Sequence, residues 1–569
     1  MRQDNLWSSW DLPLELGQFP PCLCGPNPRR PQTPPSPNPP DAAGLGRPDP
    51  GVTRILRLLT WVLCLSGGFI DTAFSQRSTS LQWHLPIDPE ARMVADACDS
   101  TGVLVPSIQP MTGWNRPPQL QPSEDAFSGL QVLGEAKQVT GEFSAQSTAV
   151  GLGAEGSWNR RGHWHVSATR WRLPLGFPLA HEVGRHGAMN GLGQASLLSP
   201  SIASVDRLEG AASWAVSPSV SLRVGQESHH WGLGGRSLFL DRHMAPALGA
   251  RLWLDAGIVQ YTHMLLRTKH LEGDTLQRGW MAAQWAEVSL GGGWSGALFG
   301  TVKWSADHDV AFQGRVEPHY LIPFGAFRPR EYILGSTDNA LVGAQLACQT
   351  RLRRGQWFKG YGQLLLDEFK ASELFGGESW WANKWGVLLG VSSTSNSGKF
   401  AWLAEAAAVR PWTYTHKTQP NSYSHLHQPL GHPAGGNFVE GRIWARMTLL
   451  DDWTLRLALL RRAQGRSEGS DEGLLGFAAG EMPWRPYTER NEDYGQVWLQ
   501  GARTDVFRLE LDLAYPVGAR YDLPGMEAFV RAWVRLEEQE SPGAWQDPWN
   551  ASRIELGIRQ SRVMDERNW

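Results

Sequence analysis

Apolar and polar residues alternate in short segments along most of the chain, from about residue 129 onward. Alternation with a period of two places apolar side chains on one face of a strand and polar side chains on the other. Turn-forming residues, such as the NSG at 396–398, separate these segments. The pattern is clearest at 251–255, 442–449, 453–459, 508–513 and 553–559. The sequence is therefore predicted to be all-β.

Strand-rich chains also form soluble sandwiches and propellers, so other features decide between the architectures. Residues 54–75 begin with Arg54 and Arg57, continue with an apolar stretch and end in AFS, which is typical of a secretory signal peptide. The chain has 29 tryptophans, a residue that forms girdles at both membrane interfaces of barrels. These features favour a transmembrane antiparallel outer-membrane β-barrel of roughly 16–18 strands.

Four regions are predicted along the chain. Residues 1–51 form a Pro-rich extension that is predicted to be disordered or wrongly included in the reading frame, and 52–75 form the signal peptide. Residues 76–128 form a periplasmic segment with a short helix at 88–101, and 129–569 form the barrel. No other helix of useful length is expected within the barrel region. The expected location is the outer membrane of a Gram-negative bacterium.

Charge and cysteine content exclude several other classes of protein. The formal net charge of −3 gives no basic field, so nucleic acid is not an expected partner. The five cysteines show no CxxC spacing, and thus no metal or disulfide framework is predicted. No cofactor is expected. The 41% share of hydrophobic residues is low for a helical membrane protein but is compatible with a barrel, whose strands are apolar on one face only.

Six clusters of unusual composition interrupt the alternating pattern. They lie at 225–246, 327–341, 361–369, 381–386, 409–416 and 425–437. Taken in this order, the clusters resemble the capsule-assembly Wzi family, and most closely its Bacteroidetes-type branch, which includes gliding-motility proteins such as RemB. The resemblance extends from about residue 81 to the C-terminus. It implies a surface lectin that anchors or organises capsular polysaccharide, or a gliding or adhesion protein. The implied partners are surface polysaccharide, outer-membrane lipid and the barrel-insertion machinery.

Charged residues on or beside the predicted strands are expected to face the lumen, since Arg or Lys facing lipid costs roughly 2–4 kcal/mol at the midplane. Two interpretations remain open for them. They form an interior network of ion pairs that fills the pore, or they bind an acidic glycan at the lumen or its mouth. The candidate residues are Trp231, Arg236, Arg328, Glu331, Asp338, Asn339, Asp367, Glu368, Asn383, Lys384, Arg410, Tyr414, His416 and His432.

Two further kinds of site, a metal site and a glycosidase site, are suggested by particular residues. His425 and His427 could supply two metal ligands from one strand face, but no carboxylate or cysteine stands at tight spacing, so no metal site is predicted. Asp367 and Glu368 suggest paired catalytic carboxylates. Adjacent strand residues point to opposite faces, so these two are not expected to share a site, and no enzyme is predicted. A diffusion channel or transporter and a barrel hydrolase remain alternatives.

Overall fold

The computed structural model describes the barrel and most of its connections. The described residues are 108–110, 126–141, 144–158, 161–272, 275–305, 317–325, 327, 329, 338–352, 355–370, 372–373, 379–449, 452–469, 475–517, 526–539 and 550–560. The predicted extension at 1–51, signal peptide at 52–75 and helix at 88–101 lie outside these residues and stay predictions.

Eighteen antiparallel strands form one closed barrel. They are β1 Ala126–Gly141, β2 Ser144–Trp158, β3 Gly162–Pro174, β4 Ile202–Ser217, β5 Val220–Glu227, β6 Ala247–Asp255, β7 Val259–Glu272, β8 Thr275–Gly291, β9 Trp294–Ser305, β10 Asn339–Arg351, β11 Trp357–Glu368, β12 Lys384–Thr394, β13 Phe400–Val409, β14 Phe438–Thr448, β15 Thr454–Arg466, β16 Ala502–Pro516, β17 Met526–Gln539 and β18 Ala551–Gln560. Each strand pairs with the next along the chain, and β18 pairs with β1. The structure confirms the predicted antiparallel barrel and its range of strand number.

The connections differ sharply between the two ends of the barrel. At one end, here called the turn end, neighbouring strands are joined by short turns such as 218–219 and 395–399. The other end, here called the loop end, carries all the long connections. They comprise 175–201, 228–246, 306–338, 369–383, 410–437, 467–501 and 540–550. Outer-membrane barrels have short periplasmic turns and longer extracellular loops, so the loop end is the extracellular one.

The outer wall of the barrel carries an apolar band. Val150, Leu298 and Leu389 point outward and are 66%, 67% and 64% exposed. At the turn end the wall carries exposed aromatic side chains, as expected of an interfacial girdle. The girdle contains Trp214, Trp294, Phe400, Trp453 and Tyr515. The fold is that of an outer-membrane β-barrel. Among the described residues no helix has the length and apolar character to cross a membrane.

A helix of ten residues lies within the described part of the barrel region, where no helix of useful length was expected. Helix α1, Phe177–His186, belongs to the connection between β3 and β4 and ends at Gly187, whose φ of 59° suits a left-handed C-cap. It has only ten residues and depends on packing rather than on intrinsic helix propensity, which explains why the sequence pattern missed it. The remaining short elements are strands Ile108–Pro110, Ala188–Met189, Gly193–Ser199, His229–Trp231, Ser424–His425, Gln428–Pro429, Glu468–Gly469 and Leu475–Phe477, helix α2 Pro318–Leu321, and 3-10 turns Gln419–Asn421 and Tyr487–Glu489.

Two long connections fold into the lumen instead of away from the barrel. We call residues 228–246 the first inner loop and residues 410–437 the second inner loop. Almost every residue in both is buried. Trp231 and Phe239 of the first inner loop make edge-to-face and tilted ring contacts with Trp285 and Phe299 of the wall. These contacts belong to a hydrophobic cluster that occupies the lumen beside β6–β14.

A candidate binding cavity at the loop end

Inward-facing polar side chains of the wall hold the inner loops by their backbone. Gln363 of β11 donates to the carbonyl of Leu233 at 3.0 Å and accepts from the amide of Leu238 at 2.9 Å. Lys303 of β9 donates to the carbonyls of Pro420 and Ser422. A buried loop must satisfy its backbone polar groups, since an unsatisfied group costs about 1–3 kcal/mol. The alternating pattern of the strands therefore supplies the partners that let these loops enter the lumen.

Lys384 stands at the centre of a buried cluster on β11 and β12. Its ammonium lies 3.2 Å from Asp367 and 3.4 Å from Glu368, and it donates to the carbonyl of Thr415 at 2.9 Å. The expectation that Asp367 and Glu368 cannot share a site was wrong. A β-bulge between Leu366 and Glu368 breaks the alternation, so both carboxylates reach the same cation.

Asp367 also connects this cluster to the second inner loop, because it accepts from the amide of Tyr414 at 2.8 Å. The Tyr414 hydroxyl donates to the carbonyl of Leu238 at 2.9 Å and so ties the second inner loop to the first. Tyr414 itself has a φ of 75°, a strained conformation for a bulky residue. Strain of this kind persists only where the surroundings fix the chain, as these two hydrogen bonds of Tyr414 do.

A second buried network joins Arg236 and His432 of the inner loops to the wall. Arg236 lies 3.9 Å from Glu440 of β14, and the His432 imidazole lies 3.5 Å from the same carboxylate. In the first inner loop, burial favours the neutral form of Asp241, but the neighbouring His243 and Arg236 lower its pKa well below the usual range. The charged Asp241 of the first inner loop is therefore paired with basic residues of the same loop.

The other predicted residues take more varied places. Arg410 donates to the carbonyl of Gln496 at 3.2 Å, and Asn383 accepts from the amide of Lys370 at 2.8 Å. His416 and Asn339 are buried. Asp338 accepts from the hydroxyl of Tyr320 at 2.7 Å, on the connection between β9 and β10. Two candidates, Arg328 and Glu331, lie outside the described residues.

The lumen beside β15–β18 is lined by ion pairs between strands. Asp512 of β16 accepts from Arg456 at 2.9 Å, from Arg531 at 3.0 Å and from Arg559 at 2.7 Å. Lys137 of β1 lies 2.8 Å from Glu555 of β18 across the closure of the barrel. Charge pairing of this kind lets inward polar residues pack without a loop between them.

A cavity of about 270 Å³ lies at the loop end of this half, between the helix, the second inner loop and the wall. Helix α1 contributes Leu179, Glu182, Val183 and His186, and strands β15 and β17 contribute Arg462, Gln464, Arg466, Arg535 and Glu537. The connection between β15 and β16 contributes Glu481 to Trp484, and the second inner loop contributes Leu426 to Pro429. We call this the α1 cavity.

A strained hairpin places His427 in the α1 cavity. Ser424–His425 pairs with Gln428–Pro429 through a two-residue turn, and its central residues Leu426 and His427 have φ values of 51° and 55°. Type I′ turns need positive φ at both positions and normally use Asn and Gly there. Bulky residues in this conformation cost energy, and such strain is concentrated at functional sites.

A continuous aromatic wall is formed by four rings, those of His427, His186, His270 and Trp484. The ring centroid of His427 lies 4.6 Å from that of His186 and 4.6 Å from that of His270, and Trp484 lies 6.2 Å from both His186 and His427. Burial lowers the pKa of His186 to about 3, with a further contribution from His427, and burial also lowers the pKa of His427. Both imidazoles are therefore neutral near pH 7.

The opposite side of the cavity is polar and charged. Glu537 lies 2.8 Å from Arg466 and 2.6 Å from Arg535, so guanidinium and carboxylate groups alternate along the wall. Burial raises the pKa of Glu481, which accepts from the amide and hydroxyl of Ser467, both at 2.8 Å. The cavity thus combines an aromatic face with donors and acceptors opposite to it.

Of the described residues that the sequence predicted as a site, none lines the α1 cavity. His427 entered the sequence analysis only as a possible metal ligand beside His425. In the structure His425 accepts from the amide of Lys269 at 3.0 Å, and His427 contacts the carbonyl of Leu271. Among the described residues no group of three or more His, Cys, Asp or Glu side chains is arranged to hold a metal ion.

Several solved structures have a similar fold. A structure of Wzi from Escherichia coli, described as a carbohydrate-binding β-barrel involved in group 1 capsule assembly, is 14% identical with a TM-score of 0.47, covering 75% of this chain and 84% of that one. OprD from Pseudomonas aeruginosa is 10% identical with a TM-score of 0.40, covering 75% and 93%. OccAB2 from Acinetobacter baumannii is 8% identical with a TM-score of 0.41, covering 75% and 97%.

Searches by sequence find no matching protein family and no matching curated protein. The structural similarities are too distant to assign a ligand or an activity to this chain. The resemblance of the six sequence clusters to the Wzi family, and to its Bacteroidetes-type branch in particular, stays a prediction.

Proposed function

We propose that this barrel is a non-enzymatic surface protein that binds a polysaccharide at its extracellular end, with the α1 cavity as the binding site. The observation that carries the proposal is the position of the cavity. It lies at the loop end, next to inner loops that fill the lumen beside β6–β14, so a ligand is retained there rather than passed through.

The lining of the cavity suits a sugar. Trp484 offers an amphipathic ring, and a pyranose has an apolar face that stacks on such rings. The sugar hydroxyls act as donors and acceptors, and they find complementary groups in Arg466, Glu481 and Glu537. The volume of about 270 Å³ is close to the lower bound of roughly 300 Å³ for small-molecule pockets. The cavity would therefore hold a short segment or an end of the polymer.

Binding by the purified barrel is the direct test. Surface polysaccharide from the producing strain is immobilised, and the affinity of the detergent-solubilised barrel is measured by interferometry. Trp484→Ala should weaken binding about 10-fold, which corresponds to about 1.4 kcal/mol. Trp498→Ala is the matched control, because Trp498 belongs to the same connection but packs against Trp385 at 5.5 Å, outside the cavity. Equal losses in both variants, or no binding by the parent protein, would rule out the α1 cavity.

A deletion strain tests the role in the cell. If the barrel anchors capsular polysaccharide, the polymer is made in normal amounts but a larger fraction is released into the medium. Complementation with the Trp484→Ala variant should restore retention only partly, and complementation with Trp498→Ala should restore it fully. Unchanged retention in the deletion strain argues against anchoring, and defective surface movement or adhesion with normal retention would favour the gliding role.

Conductance separates the proposal from the channel alternative. In planar bilayers the barrel should show no stable open state, because inward side chains hold both inner loops by their backbone. Steady ion conductance through the unmodified barrel would contradict this expectation. It would favour a diffusion channel in which the α1 cavity is part of the path.

A further inference from the structure

A segment of the connection between β9 and β10 lies against the outside of the barrel. We call residues 317–325 together with Phe327 the outer strap. The strand register shows which face of the wall the strap covers. Met264, Ala283 and Thr301 pair in register and face the hydrophobic cluster in the lumen. Their neighbours in the opposite phase face outward. The strap packs against this outward set, which comprises Leu265, Trp280, Ala282, Val302, Trp304 and Ala340.

Specific contacts fix the strap along this wall. Tyr320 packs on Trp304 with a centroid distance of 5.0 Å, and Phe324 stacks on Tyr261 at 4.4 Å. Phe327 lies over Gly300, where a Cβ atom would come within 3.8 Å of its ring. The strap therefore runs down the outer wall from the loop end.

The strap covers polar groups that would otherwise face the membrane. His263 of β7 and Gln284 of β8 both point outward and lie 3.3 Å apart within hydrogen-bonding distance. His263 is buried, and Phe327 stands 6.2 Å from its ring. An uncovered polar pair on a lipid-facing wall is unfavourable, since no water is present to complete its hydrogen bonds.

The backbone of the strap is adapted to an apolar medium. Pro318 and Pro323 carry no amide hydrogen, while the amide of Tyr320 donates to the carbonyl of Glu317 at 3.1 Å. The amide of His319 donates to the Glu317 carboxylate at 3.2 Å, and the amide of Phe324 donates to the Tyr261 hydroxyl at 2.9 Å. Irregular backbone at membrane depth requires protein partners for its polar groups, and Glu317 and Tyr261 supply partners to these three amides.

The free face of the strap is apolar apart from His319, whose side chain is 60% exposed and pairs with Glu317. Leu321, Ile322 and Phe324 are 43%, 52% and 69% exposed, whereas Tyr320 beneath them is fully buried. This face continues the apolar band of the wall, in which nearby Leu298 is 67% exposed. We propose that the outer strap is inserted into the apolar part of the membrane and that its free face binds lipid acyl chains. It is thus a second layer of the barrel wall rather than an extracellular loop.

Spin labelling in liposomes tests the proposal with the full-length mature barrel. A nitroxide is attached to Phe324→Cys or Ile322→Cys in a background in which the native cysteines are replaced by serine. Collision with oxygen, which partitions into lipid, is compared with collision with a water-soluble nickel chelate. Leu298→Cys on the wall is the lipid control. Ser397→Cys, in the turn between β12 and β13, is the aqueous control.

Both strap labels should show an oxygen-to-nickel accessibility ratio close to that of Leu298→Cys and well above that of Ser397→Cys. A ratio like that of Ser397→Cys at both positions would place the strap in water and overturn the proposal. Low accessibility to both reagents, with spin–spin coupling between protomers, would show that a second copy of the chain covers this face instead of lipid. A heat-modifiable gel shift confirms that each labelled variant is folded before it is compared.

Discussion

The lumen beside β6–β14 is filled mainly by the two inner loops, whereas the lumen beside β15–β18 is lined mainly by ion pairs, with Leu179 of α1 packed on Trp533. On the first side, inward Gln363 and Lys303 bind the backbone of the inner loops, and aromatic side chains pack between loop and wall. On the second side, Asp512 gathers three arginines from neighbouring strands, and no inner loop stands between them in the described residues. The α1 cavity lies at the loop end of this charged side.

The difference teaches how one strand pattern produces two kinds of interior. Alternation supplies inward polar residues all around the barrel, but their effect depends on what they meet. Amide and amino donors that meet a loop backbone bind and immobilise the loop, while arginines that meet carboxylates from adjacent strands hold strand to strand. The first arrangement fills its side of the lumen, and the second leaves a cavity at the loop end.

The largest effect is expected from removing the cation of the Lys384 cluster. Lys384→Met leaves the buried carboxylate of Asp367 without its cation and should destabilise the barrel by about 3–5 kcal/mol. Because Asp367 also holds the amide of Tyr414, the second inner loop should loosen. Urea unfolding in detergent measures the stability, and planar-bilayer recording should detect new conductance.

The control for this experiment is Lys370→Met. Lys370 pairs with Glu373 at 2.8 Å, but its side chain is 57% exposed, so solvent screens the pair and its loss should leave the stability nearly unchanged. If Lys384→Met behaves like this control, the buried cluster does not hold the inner loop. The contrast between the two halves would then need another cause.

A smaller effect is expected on the charged side. Asp512→Ala removes the common acceptor of three arginines, and hydrogen bonds to charged groups contribute about 1.5–3 kcal/mol. Unfolding stability should fall by about that amount, while hydrogen exchange in the inner loops stays unchanged, since Asp512 binds arginines of neighbouring strands and not these loops. Asp206→Ala is the matched control, because the Arg170–Asp206 pair lies exposed at the surface. Increased exchange in the inner loops would show that the two halves are coupled.

The sequence pattern predicted the wall better than the interior. Segments 508–513 and 553–559, which alternate strictly, lie within β16 and β18. The bulge at Asp367 could not be read from alternation, because one extra residue in a strand leaves no compositional mark. The α1 cavity was missed for a different reason: His186, His427 and Trp484 come from three connections far apart in sequence. Only the closed barrel brings these residues together, so no local sequence motif indicates the cavity.

The smallest effect concerns the pH dependence of the α1 cavity. The pKa of His186 is lowered to about 3 in the folded protein by burial and by His427, while an unfolded imidazole takes up a proton near pH 6.5. Between about pH 6.5 and pH 3 the unfolded state binds more protons, so stability at this site falls as the pH falls through that window. We expect α1 and the hairpin at 424–429 to exchange amide hydrogens faster at pH 5 than at pH 7, after correction for intrinsic rates.

His186→Phe keeps a ring against His427 but cannot be protonated, so the acid response in α1 should shrink in this variant. His181→Phe is the control, because His181 lies on the same helix but does not line the cavity. An identical acid response in the parent protein and in His186→Phe would show that another group governs the change. If the response shrinks only in His186→Phe, then the aromatic wall is stable only while its imidazoles are neutral. Polysaccharide binding should then weaken over the same pH range.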